Sequence, residues 1–128
     1  MVIDTSAIVA ILFAEAERET FNEKIAAATT RLISAPTLVE CSLVIESRKQ
    51  ALGRAELELF VYEAEITVVA FDRLQADLAA TAWRNYGKGR HLAGLNFGDC
   101  FAYALAKSRN EPLLFKGNDF SQTDIAQA

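Results

Sequence analysis

Four of the 17 acidic side chains stand apart because they lie among apolar residues at the ends of expected helices and strands. They are Asp4, Glu40, Asp99 and Asp119. The other acids lie in charged runs typical of a solvated surface, for example Glu15, Glu17, Glu19 and Glu23. The type and placement of the first four acids suggest a shared site, whereas the charged runs do not.

A cluster of carboxylates needs a compensating partner. Two carboxylates about 4 Å apart repel each other by about 4 kcal/mol at an effective dielectric constant of about 20, so the group calls for a cation or for raised pKa values. Hard oxygen ligands suit Mg²⁺ or Mn²⁺. Such an ion can cleave a phosphodiester by activating water and by neutralising charge on the leaving oxygen. The four acids therefore favour metal-dependent phosphodiester cleavage.

Each of these acids also has a purely structural explanation. Asp4 can cap the helix that follows it, and Thr37-Leu38-Val39-Glu40 fits a capping box. Asp99 can be the N-cap of its own helix, and Gly117-Asn118-Asp119 can be an ordinary turn. The joint placement of the four acids, rather than any one of them, indicates a functional site.

The elements that would position the acids follow from the hydrophobic pattern. Short apolar runs alternate with helical runs, which predicts an α/β domain with a parallel sheet covered on both faces. Strands are expected near residues 1–3, 31–35, 66–71 and 112–116. Helices are expected over residues 7–13, 15–29, 37–52 with a stop at Gly53, 54–64, 72–86 and 98–110. No linker or repeat interrupts the pattern, so residues 1–128 predict a single domain.

This arrangement can bring the four acids to one edge of the sheet. In an open α/β sheet, ligands bind at the carboxyl ends of the strands. Asp4 follows the first strand and Asp119 follows the last. Glu40 shares a helix face with apolar neighbours, and Asp99 opens a helix that looks buried. We therefore expect all four side chains to face one cleft.

The composition limits the class of protein. The chain has 128 residues, of which 52% are hydrophobic, and a net charge of −4. An extended positively charged surface that binds nucleic acid is therefore not expected. Two distant cysteines, Cys41 and Cys100, and the single His91 do not make a zinc site, and they predict buried thiols in a reducing compartment. No signal segment or bilayer-spanning run is visible. We expect a cytoplasmic protein without membrane contact.

Three motifs carry a family resemblance. Val2-Ile3-Asp4-Thr5-Ser6-Ala7, Asn96-Phe97-Gly98-Asp99-Cys100 and Leu114-Phe115-Lys116-Gly117-Asn118-Asp119-Phe120, with Glu40 between them, resemble the PIN-domain ribonucleases. The match is closest to the VapC toxins of type II toxin–antitoxin systems, and it covers the whole chain. The resemblance implies a three-layer α/β/α sandwich with a mostly parallel central sheet. It also implies a Mg²⁺-dependent endoribonuclease, with Mn²⁺ as a substitute.

The resemblance further implies partners and roles. RNA, commonly tRNA or ribosomal RNA, would be the substrate, a small cognate antitoxin would hold the enzyme inactive, and the chain would form a homodimer. Asp4 and Asp99 resemble the principal metal ligands. Glu40 resembles the third acid, as a ligand or as the group that orients water, and Asp119 resembles the fourth.

Three further residues belong to the same motifs. Ser6, or alternatively Thr5, resembles the hydroxyl that supports the site. Asn118 stands where relatives often carry a second acid before the final Asp-Phe. That departure weakens a second metal site and leaves the first one largely unchanged.

A glycine-rich loop before Asp99 is open to two interpretations. Lys88, Arg90 and His91 suit contacts with RNA phosphates, but an ordinary solvated loop would have the same composition. Trp83 flanks this loop, and its ring can stack on an unpaired base or pack between helices.

Two other functions fit parts of the sequence. A phospho-receiver domain would share the fold class, and Lys116 lies late enough in the chain to serve as its lysine. A receiver needs paired acids after its first strand, whereas Asp4 is followed by Thr5 and Ser6. A catalytically inactive PIN-like domain that binds RNA or a partner is the other alternative, and the presence of all four acids argues against it.

Overall fold

The computed structural model describes residues 1–128, the whole chain, as a four-stranded sheet with helices packed against it. The strands are β1 (Val2–Ile3), β2 (Leu32–Ser34), β3 (Thr67–Val69) and β4 (Leu113–Leu114). Every pair of neighbouring strands is parallel, and the order across the sheet is β3-β2-β1-β4. The parallel sheet expected from the alternating pattern is confirmed.

Five helices connect these strands. They are α1 (Thr5–Leu12), α2 (Arg18–Ala27), α3 (Ala35–Glu63), α4 (Arg73–Tyr86) and α5 (Phe97–Arg109), with a 3₁₀ turn at Phe120–Gln122. The predicted alternation of helices and strands is therefore present from the first strand to the last.

Two hydrophobic cores lie on opposite faces of the sheet. Val2 and Leu113 pack with α4 and α5, whereas Ile3 and Leu114 pack with α1, α2 and α3. Successive side chains of a strand point to opposite faces, so two-residue strands are enough to bind both helix layers. The result is the expected three-layer α/β/α sandwich.

The strand order creates a crevice at one end of β1. The chain adds β2 and β3 on one side of β1 and then returns to add β4 on its other side. In doubly wound sheets, ligands bind where the order reverses, outside the carboxyl ends of the strands. The residues that follow β1 and β4 therefore lie at the expected place for a site.

The long third helix corrects one expectation. The two helices predicted over 37–52 and 54–64 are both present within α3, but the break between them lies at Gln50, with φ 56° and ψ −141°, and not at Gly53. Gly53 is buried within the helical segment, and a Cβ there would lie 2.8 Å from Cγ2 of Ile45. The glycine thus permits close packing across the break rather than ending a helix.

Both cysteines are free and buried, as expected. Burial is the main reason that the pKa of the Cys41 thiol is raised to about 12, which makes it a small apolar side chain and not a nucleophile. None of the helices combines the length and the apolar composition that crossing a membrane requires.

Candidate active site

Asp4 is buried at the end of β1 and caps α1 with only one of its carboxylate oxygens. Oδ2 accepts hydrogen bonds from the backbone N–H of Ser6 at 3.0 Å and from the Ser6 hydroxyl at 2.6 Å. Oδ1 is buried and has no hydrogen-bond partner. An unpaired buried acceptor is costly, and here it is an oxygen that a cation would satisfy. Helix capping therefore explains the contacts of Oδ2 but not the burial of the unpaired Oδ1.

The environment of Asp4 disfavours its charge. Burial, the largest effect, raises the pKa of Asp4 above its ordinary value, and the negative charge of Glu40 acts in the same direction. The hydrogen bonds from Ser6 partly oppose this rise. A positive ion at Oδ1 would reverse the balance, because a nearby opposite charge stabilises the carboxylate.

Glu40 reaches the same region from α3. Its Oε1 accepts a hydrogen bond from the Thr5 hydroxyl, and a Cβ built on Gly98 would lie 2.1 Å from its Oε2. The Glu40 carboxylate is therefore held between the start of α1 and the start of α5. The proposed capping box with Thr37 is wrong, since Ser34 is the N-cap of α3 and Thr37 Oγ1 has no partner.

Asp99 lies in the first turn of α5 and is not its N-cap, contrary to the structural explanation considered above. Asn96 is the cap: its Oδ1 accepts from the backbone N–H of Asp99 at 2.8 Å, and Oδ2 of Asp99 accepts from the backbone N–H of Asn96 at 2.9 Å. This reciprocal capping box fixes the carboxylate. As with Asp4, one oxygen is committed to the backbone.

The other three acids of the cluster act electrostatically on Asp99. Burial, the largest effect, raises the pKa of Asp99 to about 7, and the hydrogen bond from Asn96 opposes it. The charges of Asp4, Asp119 and Glu40 then raise this pKa further. Asp119 itself is exposed in the turn after β4, beside the exposed Asn118. The structure therefore brings all four predicted acids into one negatively charged region.

The geometry limits how a metal ion could be held. No three acidic, histidine or cysteine side chains surround one point closely enough to hold an ion by themselves. The oxygen donors nevertheless fit Mg²⁺, which usually keeps several waters and binds through one or two carboxylates together with substrate phosphates. The unpaired Oδ1 of Asp4 is the observation on this chain that calls for such a ligand.

The two candidate hydroxyls serve different acids. Ser6 donates to Asp4, whereas Thr5 donates to Glu40. The Ser6 oxygen also accepts from the backbone N–H of Lys116 at 2.9 Å, so it joins β1 to the end of β4. The choice between Ser6 and Thr5 posed by the sequence is therefore not an exclusive one.

Sequence reasoning missed two features near these acids. Nζ of Lys116 lies 3.3 Å from Oε2 of Glu15 and 3.2 Å from Oε2 of Glu17, two acids that had been assigned to the ordinary surface. The second feature is the close contact between Gly98 and the Glu40 carboxylate. No local pattern could reveal either, because both join segments far apart in the sequence.

The same observations weigh against the phospho-receiver alternative. Lys116 directs its ammonium group at Glu15 and Glu17 and not at Asp4. A receiver also needs an aspartate after its third strand to accept the phosphoryl group, and Asp72, which follows β3, instead caps α4 by accepting from the backbone N–H of Gln75 at 2.9 Å.

The glycine-rich loop before α5 is largely exposed. Arg90 lies over the Trp83 ring, with 4.5 Å between Cζ and the ring centroid. His91 is engaged within its own loop, where Nδ1 accepts from the backbone N–H of Ala93 at 3.0 Å. Lys88 lines a groove that also contains Trp83. The two cations therefore stay accessible, and His91 is not placed as a metal ligand.

The chain is similar to known proteins over nearly its whole length. The family model for the PIN domain matches residues 1–126. Ribonuclease VapC30 of Mycobacterium tuberculosis is 52% identical over 126 residues, which cover 98% of this chain and 96% of that protein. Ribonuclease VapC of Mycolicibacterium smegmatis is also 52% identical over 126 residues, which cover 98% of each chain.

Solved structures show the same fold at low identity. The M. tuberculosis toxin VapC20, described as cleaving the sarcin-ricin loop, superposes with a TM-score of 0.75 at 18% identity and covers 99% of this chain and 97% of its own. VapBC2 of Rickettsia felis, bound to a DNA fragment from its promoter, gives a TM-score of 0.77 at 14% identity, with coverage of 99% and 96%. These two structures bear on the fold alone.

Proposed function

This chain belongs to the PIN-domain family, as a ribonuclease of the VapC type, and on that premise we propose that it is the toxin of a type II toxin–antitoxin pair. It cleaves RNA internally at the site that contains Asp4, Glu40, Asp99 and Asp119. The single observation that best supports a metal-dependent mechanism is the buried, unpaired Oδ1 of Asp4 beside a second acid, Asp99, whose pKa is raised to about 7.

We assign the bound ion as Mg²⁺, with Mn²⁺ as a substitute. Asp4 and Asp99 would hold it, each through the oxygen that its cap leaves free. When bound, such an ion would supply Lewis-acid activation of water and neutralisation of charge at the phosphate and the leaving oxygen. One ion suits this donor set better than two, because the neutral Asn118 adds no charge beside Asp119.

The remaining residues of the site hold and orient the acidic side chains. Ser6 fixes the rotation of the Asp4 carboxylate through its 2.6 Å hydrogen bond, and Thr5 does the same for Glu40. Glu40, so held, would orient the attacking water or serve as a further metal ligand. Asp119 is exposed, which suits a contact with the metal shell through water.

RNA is the substrate in this proposal, with tRNA and ribosomal RNA as the classes that the family implies. The net charge of −4 leaves no broad basic surface, so a few local contacts must bind the RNA. Lys88 and Arg90 are exposed cations on the loop that leads into α5. We assign them to the RNA backbone, with the Trp83 ring beneath Arg90.

An antitoxin is the proposed protein partner. A groove of about 710 Å³ lies between α1 and the second half of α3, and its apolar lining includes Ile11, Phe13 and Phe60. Charged side chains, among them Lys49 and Glu56, line it as well. An apolar groove with a charged rim suits a short peptide segment, whose end would continue to the acidic cleft.

A homodimer is the proposed assembly. Val39, Leu43 and Phe97 expose 58%, 67% and 80% of their surfaces and line one groove of about 600 Å³. Contiguous exposed apolar patches mark interaction sites more often than chance. We place the activity in the cytoplasm, where RNA is found and where the free thiols of Cys41 and Cys100 stay reduced.

Cleavage of a structured RNA by the purified chain, freed of any antitoxin, tests the proposal. We expect internal cleavage with Mg²⁺ or Mn²⁺, none with EDTA, and recovery when metal is added in excess. Asp4→Asn should abolish it while the fold is kept, which excludes a contaminating nuclease. Cleavage that survives EDTA would overturn the metal mechanism. RNA binding without cleavage under any metal would favour the inactive PIN-like alternative.

A further inference from the structure

Lys116 joins the end of β4 to two other parts of the chain. Its backbone N–H donates to Oγ of Ser6 at 2.9 Å, and the Ser6 hydroxyl donates to Oδ2 of Asp4 at 2.6 Å. Its Nζ lies 3.3 Å from Oε2 of Glu15 and 3.2 Å from Oε2 of Glu17. One residue therefore contacts the hydrogen-bonded chain that ends on Asp4 and also the connection between α1 and α2.

The turn that follows Lys116 has few other anchors. Gly117 has φ +100°, and a Cβ there would meet nothing within 4 Å. Asn118 and Asp119 are exposed. The next fixed residue is Phe120, which is 2% exposed. The position of Asp119 thus depends on Lys116 at one end of the turn and, at the other, on Phe120 and on Ser121, whose hydroxyl donates to the Asn118 carbonyl at 2.7 Å.

The ion pairs of Lys116 are too exposed to contribute much to global stability. The exposed fractions are 37% for the lysine and 36% and 35% for Glu15 and Glu17, and ion pairs as exposed as these add little to the stability of a fold. Their effect is on position, because two acids on one segment limit where the ammonium group and its backbone can lie.

We propose that Lys116 is a positioning residue of the nuclease site, held by Glu15 and Glu17, which sets the orientation of Asp4 through Ser6 and the placement of Asp119 through the turn. This inference rests on the proposed ribonuclease function and adds to it three residues outside the four-acid cluster. Lys116 acts through its neighbours and does not contact the reacting atoms.

A different role would give opposite results. If Lys116 bound an RNA phosphate directly, Glu15 and Glu17 would compete with the phosphate for the ammonium group, and their removal would strengthen RNA binding. If Lys116 positions the site, removal of the two acids should weaken catalysis in the same way as removal of the lysine.

The test compares Lys116→Ala, Lys116→Arg and the double variant Glu15→Gln/Glu17→Gln on a tRNA preparation or other structured RNA that the parent cleaves. We expect kcat to fall about tenfold or more in Lys116→Ala and in the double variant, since removal of a group that orients metal ligands costs about 10- to 100-fold. KM for the RNA should stay within about twofold, and Lys116→Arg should restore most of kcat. The Mn²⁺ concentration that gives half of the maximal shift in melting temperature should rise in parallel.

Lys107→Ala is the matched control. Lys107 pairs with Asp124 at 2.6 Å, and its side chain is 36% exposed, so the variant breaks an ion pair of similar exposure at the end of α5 opposite to Asp99. Its kcat and its Mn²⁺ response should match those of the parent. An unchanged kcat in Lys116→Ala, a rise confined to KM, or tighter RNA binding in the double variant would overturn the proposal.

The two proposals fail in different ways. A parent that cleaves no RNA, or that cleaves in EDTA, contradicts the proposed function. A metal-dependent parent whose activity survives both Lys116→Ala and Glu15→Gln/Glu17→Gln contradicts only the role of Lys116. If Lys116→Ala does not fold, the double variant Glu15→Gln/Glu17→Gln still decides, because glutamine keeps the length and the shape of each glutamate side chain.

Discussion

Gly98 and Glu40 are in contact across the site, such that a Cβ built on Gly98 would lie 2.1 Å from Oε2 of Glu40. The first turn of α5 thus approaches the α3 carboxylate as closely as a backbone without a side chain allows. The same turn carries Asp99, so the absence of one methyl group determines how near the acids of α3 and α5 can lie.

Replacement of Gly98 by alanine should disable the enzyme without unfolding it. Alanine favours a helix by about 1 kcal/mol over glycine, which offsets part of the clash, so the melting temperature should change little. Displacement of Glu40 should lower the cleavage rate by about tenfold or more. Initial rates and circular dichroism melts measure the two effects.

A shorter acid provides the control for this contact. Glu40→Asp draws the carboxylate away from residue 98, so Gly98→Ala should cost much less in that background than in the parent, because contacting residues are not additive. Full additivity of the two substitutions would show that Gly98 acts by some other route.

Metal binding should be visible in stability as well as in activity. A ligand that binds only the folded state adds about 2.7 kcal/mol at a hundredfold excess over Kd, which is a shift of several degrees for a domain of this size. We expect Mn²⁺ to raise the melting temperature of the parent, and much less that of Asp4→Asn or Asp99→Asn. Differential scanning fluorimetry with a Mn²⁺ titration measures the shift.

Glu19→Gln is the matched control for that titration. Glu19 is exposed at the start of α2, so the variant removes one negative charge without touching the cleft. Its shift should equal that of the parent. Equal shifts in all four proteins, or none in the parent, would mean that the acids are helix caps and turn residues only.

Much of this site follows from local sequence, and the rest does not. Asp4 was placed correctly because a short apolar run before a polar turn and a helix specifies the end of a strand. The break within α3 was predicted at Gly53 instead of Gln50, because glycine is the residue that most often ends a helix. A non-glycine residue with φ 56° is set by packing on both sides of it, which no local pattern reports.

The side-chain contacts of the site could not be predicted from local sequence for a related reason. The spacing from Thr37 to Glu40 satisfied a capping box, yet Glu40 turns to Thr5 on another helix. Lys116 and Glu17 have ordinary surface compositions around them and meet only because β4 lies beside β1. Packing between distant segments thus determines which partners Glu40 and Lys116 contact, and the local sequence does not.

The metal-free protein should become less stable as the pH rises. The pKa of Asp99 is raised to about 7 in the folded state, against about 3.9 in an unfolded chain. Between these values the folded state binds more protons than the unfolded state, so the free energy of unfolding falls as the pH increases. The raised pKa of Asp4 acts in the same direction.

Melting temperatures in EDTA across this pH range measure the effect. Asp99→Asn should flatten the profile and should melt higher than the parent at neutral pH, since the variant carries no charge to bury. Saturating Mn²⁺ should also remove the slope. A parent whose melting temperature rises steadily with pH in EDTA would contradict the raised pKa of Asp99.

The exposed apolar groove beside Glu40 makes the assembly testable by a single substitution. Leu43 exposes 67% of its surface and lines this groove with Phe97 and Phe101, so burial against a second copy would add favourable apolar contact. Leu43→Ser should raise the dissociation constant of the dimer, measured by analytical ultracentrifugation over a range of concentrations. Leu92→Ser is the control, because Leu92 is 91% exposed and does not line that groove. A parent that sediments as a monomer at all concentrations, or equal weakening by both variants, would contradict a dimer formed through this surface.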